Sequence, residues 1–191
     1  TIEVERSLRV LDGAVVVLDG VHGVEPQSET VWHQADNYGV PRIVVVNKLD
    51  RIGADFDMCV DTVRTSFSQT PIPIQLPIGI EKDFAGVLDL VDGGAIYFDQ
   101  KDPREVRREA EVPHELQDRF DEGRAFLVEA LADFDDEIAT IYLEGGEVDA
   151  PKIRATLREH TLEGNVVPVL CASALRNKGV PPVLDAVVAY L

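Results

Sequence analysis

The sequence predicts an α/β fold, a parallel sheet with helices that carries an inserted α+β subdomain, and three observations support this. Runs at Ala14–Leu18, Ile43–Val46 and Val166–Leu170 are rich in valine and isoleucine, as strands covered on both faces of a parallel sheet are. Helical patterns lie between them. The second and third runs are also separated by far more chain than a single crossover helix requires.

The elements follow in order. Ile2, Val4, Leu8 and Leu11 mark an opening helix, already under way at Thr1, which is read as the start of an excised piece. Gly13–Asp19 is the first buried strand. Gly20, Gly23 and Pro26 form a loop, and Pro26 starts a helix from Gln27 to Tyr38 that Gly39 ends as a C-cap. The strand Arg42–Val46 completes a β-α-β unit with a parallel pair. Asp55–Ser66 is the next helix, with Phe56, Val60, Val63 and Phe67 on one face. The third strand of that sheet is expected only at Val166. In the surplus, Ile72–Ile78 alternates around prolines as an edge strand can. Gly86–Val91, Asp92-Gly93-Gly94 and Ala95–Phe98 make a β-hairpin. Val106–Val112 adds a strand, and three helices follow at Glu115–Ala132, Asp135–Leu143 and Pro151–Leu162. After Val166–Leu170, Gly179 and Pro181-Pro182 introduce a last helix through Val183, Leu184, Val187 and Val188. The expected division is residues 1–69 with 166–191 for the sheet, and 70–165 for the insertion.

At 191 residues, 45% hydrophobic and 28% charged, the chain has the composition of a soluble globular protein able to bury a sizeable core. No run approaches a membrane span and no signal peptide is visible, so no membrane partner and a cytoplasmic location are expected. Cys59 and Cys171 lie in or beside apolar segments and read as buried thiols, with a disulfide as the alternative. Two cysteines and four scattered histidines give no metal-ligand spacing. A net charge of −17 argues against phosphate-driven nucleic-acid binding. The acidity concentrates between Glu109 and Asp149, as a solvated helical face or as a docking surface for a basic protein.

The chemistry sits at two strand ends. Ile43–Val46 opens into Asn47-Lys48-Leu49-Asp50, and ligands of open α/β sheets lie outside such carboxyl ends. Guanine presents two donors on one edge, N1–H and the 2-amino group, which the Asp50 carboxylate can accept side by side. The Asn47 amide can donate toward the O6/N7 edge and brace neighbouring loops. The Lys48 stem can lie over the base while its ammonium stays wet. Adenine lacks both donors and would leave a desolvated carboxylate unpaired. Val166–Leu170 opens into Cys171-Ala172-Ser173-Ala174-Leu175. Ser173-Ala174-Leu175 resembles the loop that closes over guanine O6 in GTP-binding proteins, where the Ala backbone N–H donates to O6.

Taken together, the chain closely resembles the GTPase domain of the elongation factor G family of translational GTPases, over essentially all its residues. The resemblance is carried by Gly23–Trp32, Asn47–Phe56, Gln75–Gly79 and Ala174–Val180, and by the insertion, which most other translational GTPases lack. It implies a partial P-loop-GTPase-type sheet, GTP or GDP as ligand, and guanine contacts from Asn47, Lys48, Asp50, Ser173, Ala174 and Leu175. It also implies a parent GTPase that drives tRNA and mRNA translocation on the ribosome, with the insertion contacting the ribosomal stalk protein. A paralogue specialised in ribosome recycling or protection would share this region, and a stalk-binding module without nucleotide chemistry is the rival for the chain alone. A complete family member also has a phosphate-cradling Gly-rich loop, a switch threonine and an Asp-x-x-Gly followed by histidine. None is read in this chain, and no lysine follows a glycine, which excludes the Gly-rich loop's G-x-x-x-x-G-K-[ST] pattern. Phosphate and magnesium partners and catalytic residues are therefore not expected in this chain, which is expected to be inactive alone. His22 lies in a different loop from the family's histidine and reads as a solvated position. Asp19 reads as a turn or cap residue, and Glu25 and Gln27 as first-turn helix residues.

Overall fold

The computed structural model describes residues 2–99, 102 and 105–191. It contains helices α1 (Ile2–Leu8), α2 (Pro26–Asn37), α3 (Phe56–Ser66), α4 (Gln117–Ala132), α5 (Asp136–Leu143), α6 (Ala150–Leu162) and α7 (Val180–Tyr190). The strands are β1 (Ala14–Asp19), β2 (Arg42–Asn47), β3 (Thr70–Pro73), β4 (Gln75–Ile78), β5 (Gly86–Asp89), β6 (Ala95–Phe98), β7 (Val106–Glu109) and β8 (Val166–Cys171). Strands β1-β2-β8-β3 form a parallel sheet, and β4-β5-β6-β7 an antiparallel one.

Local chemistry explains the elements. Pro26 occupies the first turn of α2, where its missing N–H is harmless. Asp55, Asp135 and Asp149 cap α3, α5 and α6 by accepting backbone N–H groups of Met58, of Glu137 and Ile138, and of Lys152. At the start of β2 the Arg42 guanidinium is buried but satisfied. It donates to the carbonyls of Val40 and Trp32 and to Asp36, and it lies over the Trp32 ring, so it fastens α2 to the sheet. Both cysteines are free and buried, and burial pushes the Cys59 thiol up to about 11. Among the described residues, no helix is long and apolar enough to cross a membrane.

Four features stand beside the sequence reading. First, β1 is not a fully buried strand. Among the described strands it pairs only with β2, and Val15 and Val17 remain 41% and 57% exposed, whereas β2 and β8 are covered on both faces. Second, the parallel sheet receives a strand well before Val166. Residues 72–78 do not make one edge strand but divide at Ile74, whose N–H donates to Val169 in the parallel sheet while its carbonyl accepts from Leu90 of the insertion. Thr70 and Ile74 both donate toward the β8 side, so Pro71 and Pro73, with no N–H to give, fall in the alternate positions of an edge strand. Third, α6 packs against α7, β8, α4 and β2, so it bridges the parallel sheet and the helices that precede it. Fourth, the insertion has no separate core. One continuous apolar cluster runs from Val44 and Leu170 through Ile74 to Leu88, Leu127 and Ile138.

Candidate guanine-binding site

The site forms where β2 and β8, parallel neighbours, end side by side. Val46 accepts the Ala172 N–H at 2.9 Å, and Ala172 in turn accepts from Leu49 at 3.2 Å, so the two exit loops are stitched together at their roots. The loop after β1 joins from the other side. Gly20 donates to the Asn47 carbonyl at 2.7 Å, and a Cβ on Gly20 would stand 2.8 Å from that oxygen, so only glycine permits this approach.

The side chains then converge. Fully buried Ser173 donates from Oγ to Asp50 Oδ1 at 2.6 Å, and Arg176 Nε reaches Asp50 Oδ2 at 3.4 Å. The carboxylate is thereby held at both oxygens. Burial pushes the Asp50 carboxyl up, but the hydrogen bonds from Ser173, from its own backbone and from Arg176, with the Arg176 charge, outweigh this and hold it below the ordinary carboxylate range. It is thus an ionised, acceptor-only group near neutral pH, still with lone pairs to offer. Asn47 Oδ1 accepts the Ala174 N–H at 2.9 Å, which braces one base loop against the other and leaves the amide's Nδ2 as its donor. Leu175 is 88% exposed beside them.

Asn47, Asp50, Ser173 and Ala174, expected from sequence, are thus in direct contact. Two contacts add to the expected set. The Lys48 side chain stays 46% exposed and its ammonium also donates to Asp19 Oδ2 at 2.7 Å, with Arg51 3.6 Å from the same oxygen. The Ala174 N–H meets Asn47 in this structure. Asp19 does make the expected turn, accepting the Val21 N–H at 2.9 Å, and adds the ion pair. The Lys48 hydrogen bond, then the Val21 N–H, hold the Asp19 carboxyl down against its burial. This pair could have been found: β1 and β2 are parallel with Asp19 level with Asn47, so the next residue of β2's loop is within reach. Lys48 adopts a left-handed backbone, φ +64°, a strained conformation for a lysine that re-aims the loop. Arg176 carries no sequence signal that marks it as a partner of Asp50. His22 sits in the β1–α2 loop, outside this cluster.

The cluster thus offers paired acceptor oxygens at Asp50 and the Nδ2 donor of Asn47, with the Ala174 N–H engaged by Asn47 Oδ1. Among the described residues, no group of three or more His, Cys, Asp or Glu side chains could hold an ion.

Comparisons with known proteins show the family. A sequence profile described as the elongation factor Tu GTP binding domain matches residues 1–191. The chain is 51% identical over 191 residues to elongation factor G of Anaplasma marginale (strain Florida), covering all of this chain and 28% of that protein. It is 52% identical to elongation factor G of Thermotoga maritima, again covering 28% of the relative. A crystal structure of a Thermus thermophilus protein superposes with a TM-score of 0.83 at 31% identity, covering 99% of this chain and 28% of that one. The chain thus spans about 28% of the length of these relatives. With its parallel sheet, its helices and its strand-end motifs, the chain belongs to the family of the elongation factor Tu GTP-binding domain.

Proposed function

We propose that this chain is the guanine-reading part of a translational GTPase of the elongation factor G kind. The observation that carries the reading is the doubly held carboxylate of Asp50, set beside Asn47 and the Ser173–Ala174 turn. An ionised carboxylate accepts the N1–H and 2-amino donors of guanine together, and charge-assisted bonds of this kind are about twice as strong as neutral ones. Adenine offers neither donor, so its entry would leave Asp50 desolvated and unpaired. Ser173 and Arg176 fix the carboxylate plane. Asn47 aligns the Ala174 loop, and Lys48, pinned to Asp19, presents its stem at the mouth of the site. Leu175 supplies an apolar flank.

In this reading the parent protein binds GTP and GDP with magnesium, hydrolyses GTP on the ribosome in the cytoplasm and drives movement of tRNA and mRNA. The phosphates and magnesium are held by parts of the protein outside this chain. The chain's role is nucleotide selection and affinity, not hydrolysis. The insertion, with its acidic stretch from Glu109 to Asp149, is the surface proposed to meet the ribosomal stalk protein. Residues 2–74 with α6 to α7 form the base-reading part, and residues 75–149 the insertion.

The test is Asp50→Asn in the full-length protein containing this segment. The amide replaces an acceptor by a donor, which suits the C2 carbonyl of xanthine. GDP affinity should fall by about 3 kcal/mol, more than about a hundredfold, while xanthosine diphosphate gains. Unchanged GDP affinity would refute the base site.

A further inference from the structure

The antiparallel insertion reaches both base loops through a single turn. In the turn from Gly79 to Phe84, Asp83 donates to the Ile80 carbonyl at 2.9 Å and Phe84 to the Glu81 carbonyl at 3.1 Å. Gly79 sits at φ +78°, where a Cβ would lie 2.1 Å from the Asp83 carbonyl oxygen, so the turn closes tightly on itself. Glu81 is held at φ +51°, a conformation that a glutamate adopts only when its surroundings enforce it. Its carboxylate accepts the Gly53 N–H at 2.9 Å, three residues beyond Asp50. Phe84 is fully buried against Phe98, which roots the turn in the core.

The other grip comes from Lys178. Its ammonium donates to the Phe84 carbonyl and lies 5.9 Å from the centre of the Phe84 ring. Its backbone N–H donates to the Ser173 carbonyl at 3.0 Å, and its carbonyl accepts the Ser173 N–H at 2.9 Å. The loop carrying Ser173, Ala174 and Arg176 is therefore closed at its base by a residue tied to the insertion. Asp50, Lys82, Arg176 and Lys178 line one opening of about 390 Å³, so the turn and the two loops share a common mouth.

We propose that Glu81 and Lys178 are positioning residues for guanine recognition, through which the insertion sets the geometry of the Asp50 and Ala174 loops. Neither touches the base. Each fixes the far end of a loop whose near end does, and a paired-acceptor contact tolerates only small displacement. The role rests on the guanine reading of Asp50.

The experiment compares Glu81→Ala, Glu81→Gln, Lys178→Met and Lys178→Arg with Asp50→Asn and wild type in the full-length protein. GDP and inosine diphosphate binding and GDP dissociation are measured alongside thermal melting. Inosine lacks the 2-amino group and makes one contact fewer with Asp50. Glu81→Ala and Lys178→Met should each release GDP on the order of tenfold faster. Both should narrow the preference for GDP over inosine diphosphate, a ratio that general destabilisation leaves unmoved. Glu81→Gln keeps an acceptor and Lys178→Arg a donor, so both should stay near wild type. A wild-type preference ratio in Glu81→Ala and Lys178→Met, or a Gln variant as impaired as the Ala variant, overturns the positioning role. If Asp50→Asn keeps its GDP preference, the base-site reading itself fails. If Asp50→Asn switches to xanthosine diphosphate while the Glu81 and Lys178 variants do not respond, only the positioning role fails.

Discussion

Among the described residues the two sheets have four strands each but divide the labour unequally. The parallel sheet places its polar residues at the carboxyl ends of β2 and β8, where Asn47, Asp50, Ser173 and Ala174 converge. Among the described residues, the antiparallel sheet places no hydrogen-bonding side chain against Asp50, yet its Gly79–Phe84 turn is tied to both strand-end loops. Parallel strands aim chemistry in one direction, whereas an inserted meander can brace that chemistry from the side. Ile74 is the joint, with its N–H committed to one sheet and its carbonyl to the other.

If the two sheets are one cooperative body, they must unfold together. Leu127 of α4 is fully buried in the cluster that spans both. Leu127→Ala should cost about 2–5 kcal/mol and lower a single cooperative denaturant transition of the whole chain. Two transitions, with only the insertion's melting earlier, would show independent units.

A smaller effect is expected where the insertion meets α6. The Asp135 carboxylate caps α5 and pairs with Lys152, and it receives Thr156 Oγ1 at 2.9 Å. Burial raises its pKa, but Lys152, the Ile138 N–H and Thr156 prevail and hold it at about 2. A depressed folded-state pKa gives stability that is complete above the unfolded value near 4 and is lost as pH falls toward 2. Asp135→Asn should therefore cost about 1–2 kcal/mol near neutral pH and flatten the acid limb of a stability–pH curve. An acid limb identical to wild type would deny Asp135 this role.

Much of the fold was legible because strand and helix periodicities report burial directly. Strands β2 and β8 were readable as buried valine runs ending in polar residues. Strand β1 has the same composition, but exposure depends on which neighbours cover a strand, and Val17 carries no mark of that. Strand β3 was legible only as part of one edge strand at Ile72–Ile78, and no periodicity discloses that Ile74 divides its two hydrogen bonds between sheets. Within the candidate site, Asn47, Asp50, Ser173 and Ala174 were visible as strand-end motifs. The Lys48–Asp19 pair followed from parallel register but needed the register to be drawn. Glu81 was invisible, since it reaches Gly53 from the other sheet and only the assembled core brings the two together.

Whether the strand-end loops read guanine by themselves is decided by residue-resolved titration of the 191-residue chain. Backbone amide signals would be followed as GDP or ADP is added, with and without magnesium. Shifts confined to residues 47–54 and 173–178 are expected with GDP, with little response to ADP, a dissociation constant on the order of millimolar and indifference to magnesium. Equal responses to both nucleotides, or micromolar binding that requires magnesium, would contradict a site that holds the base alone.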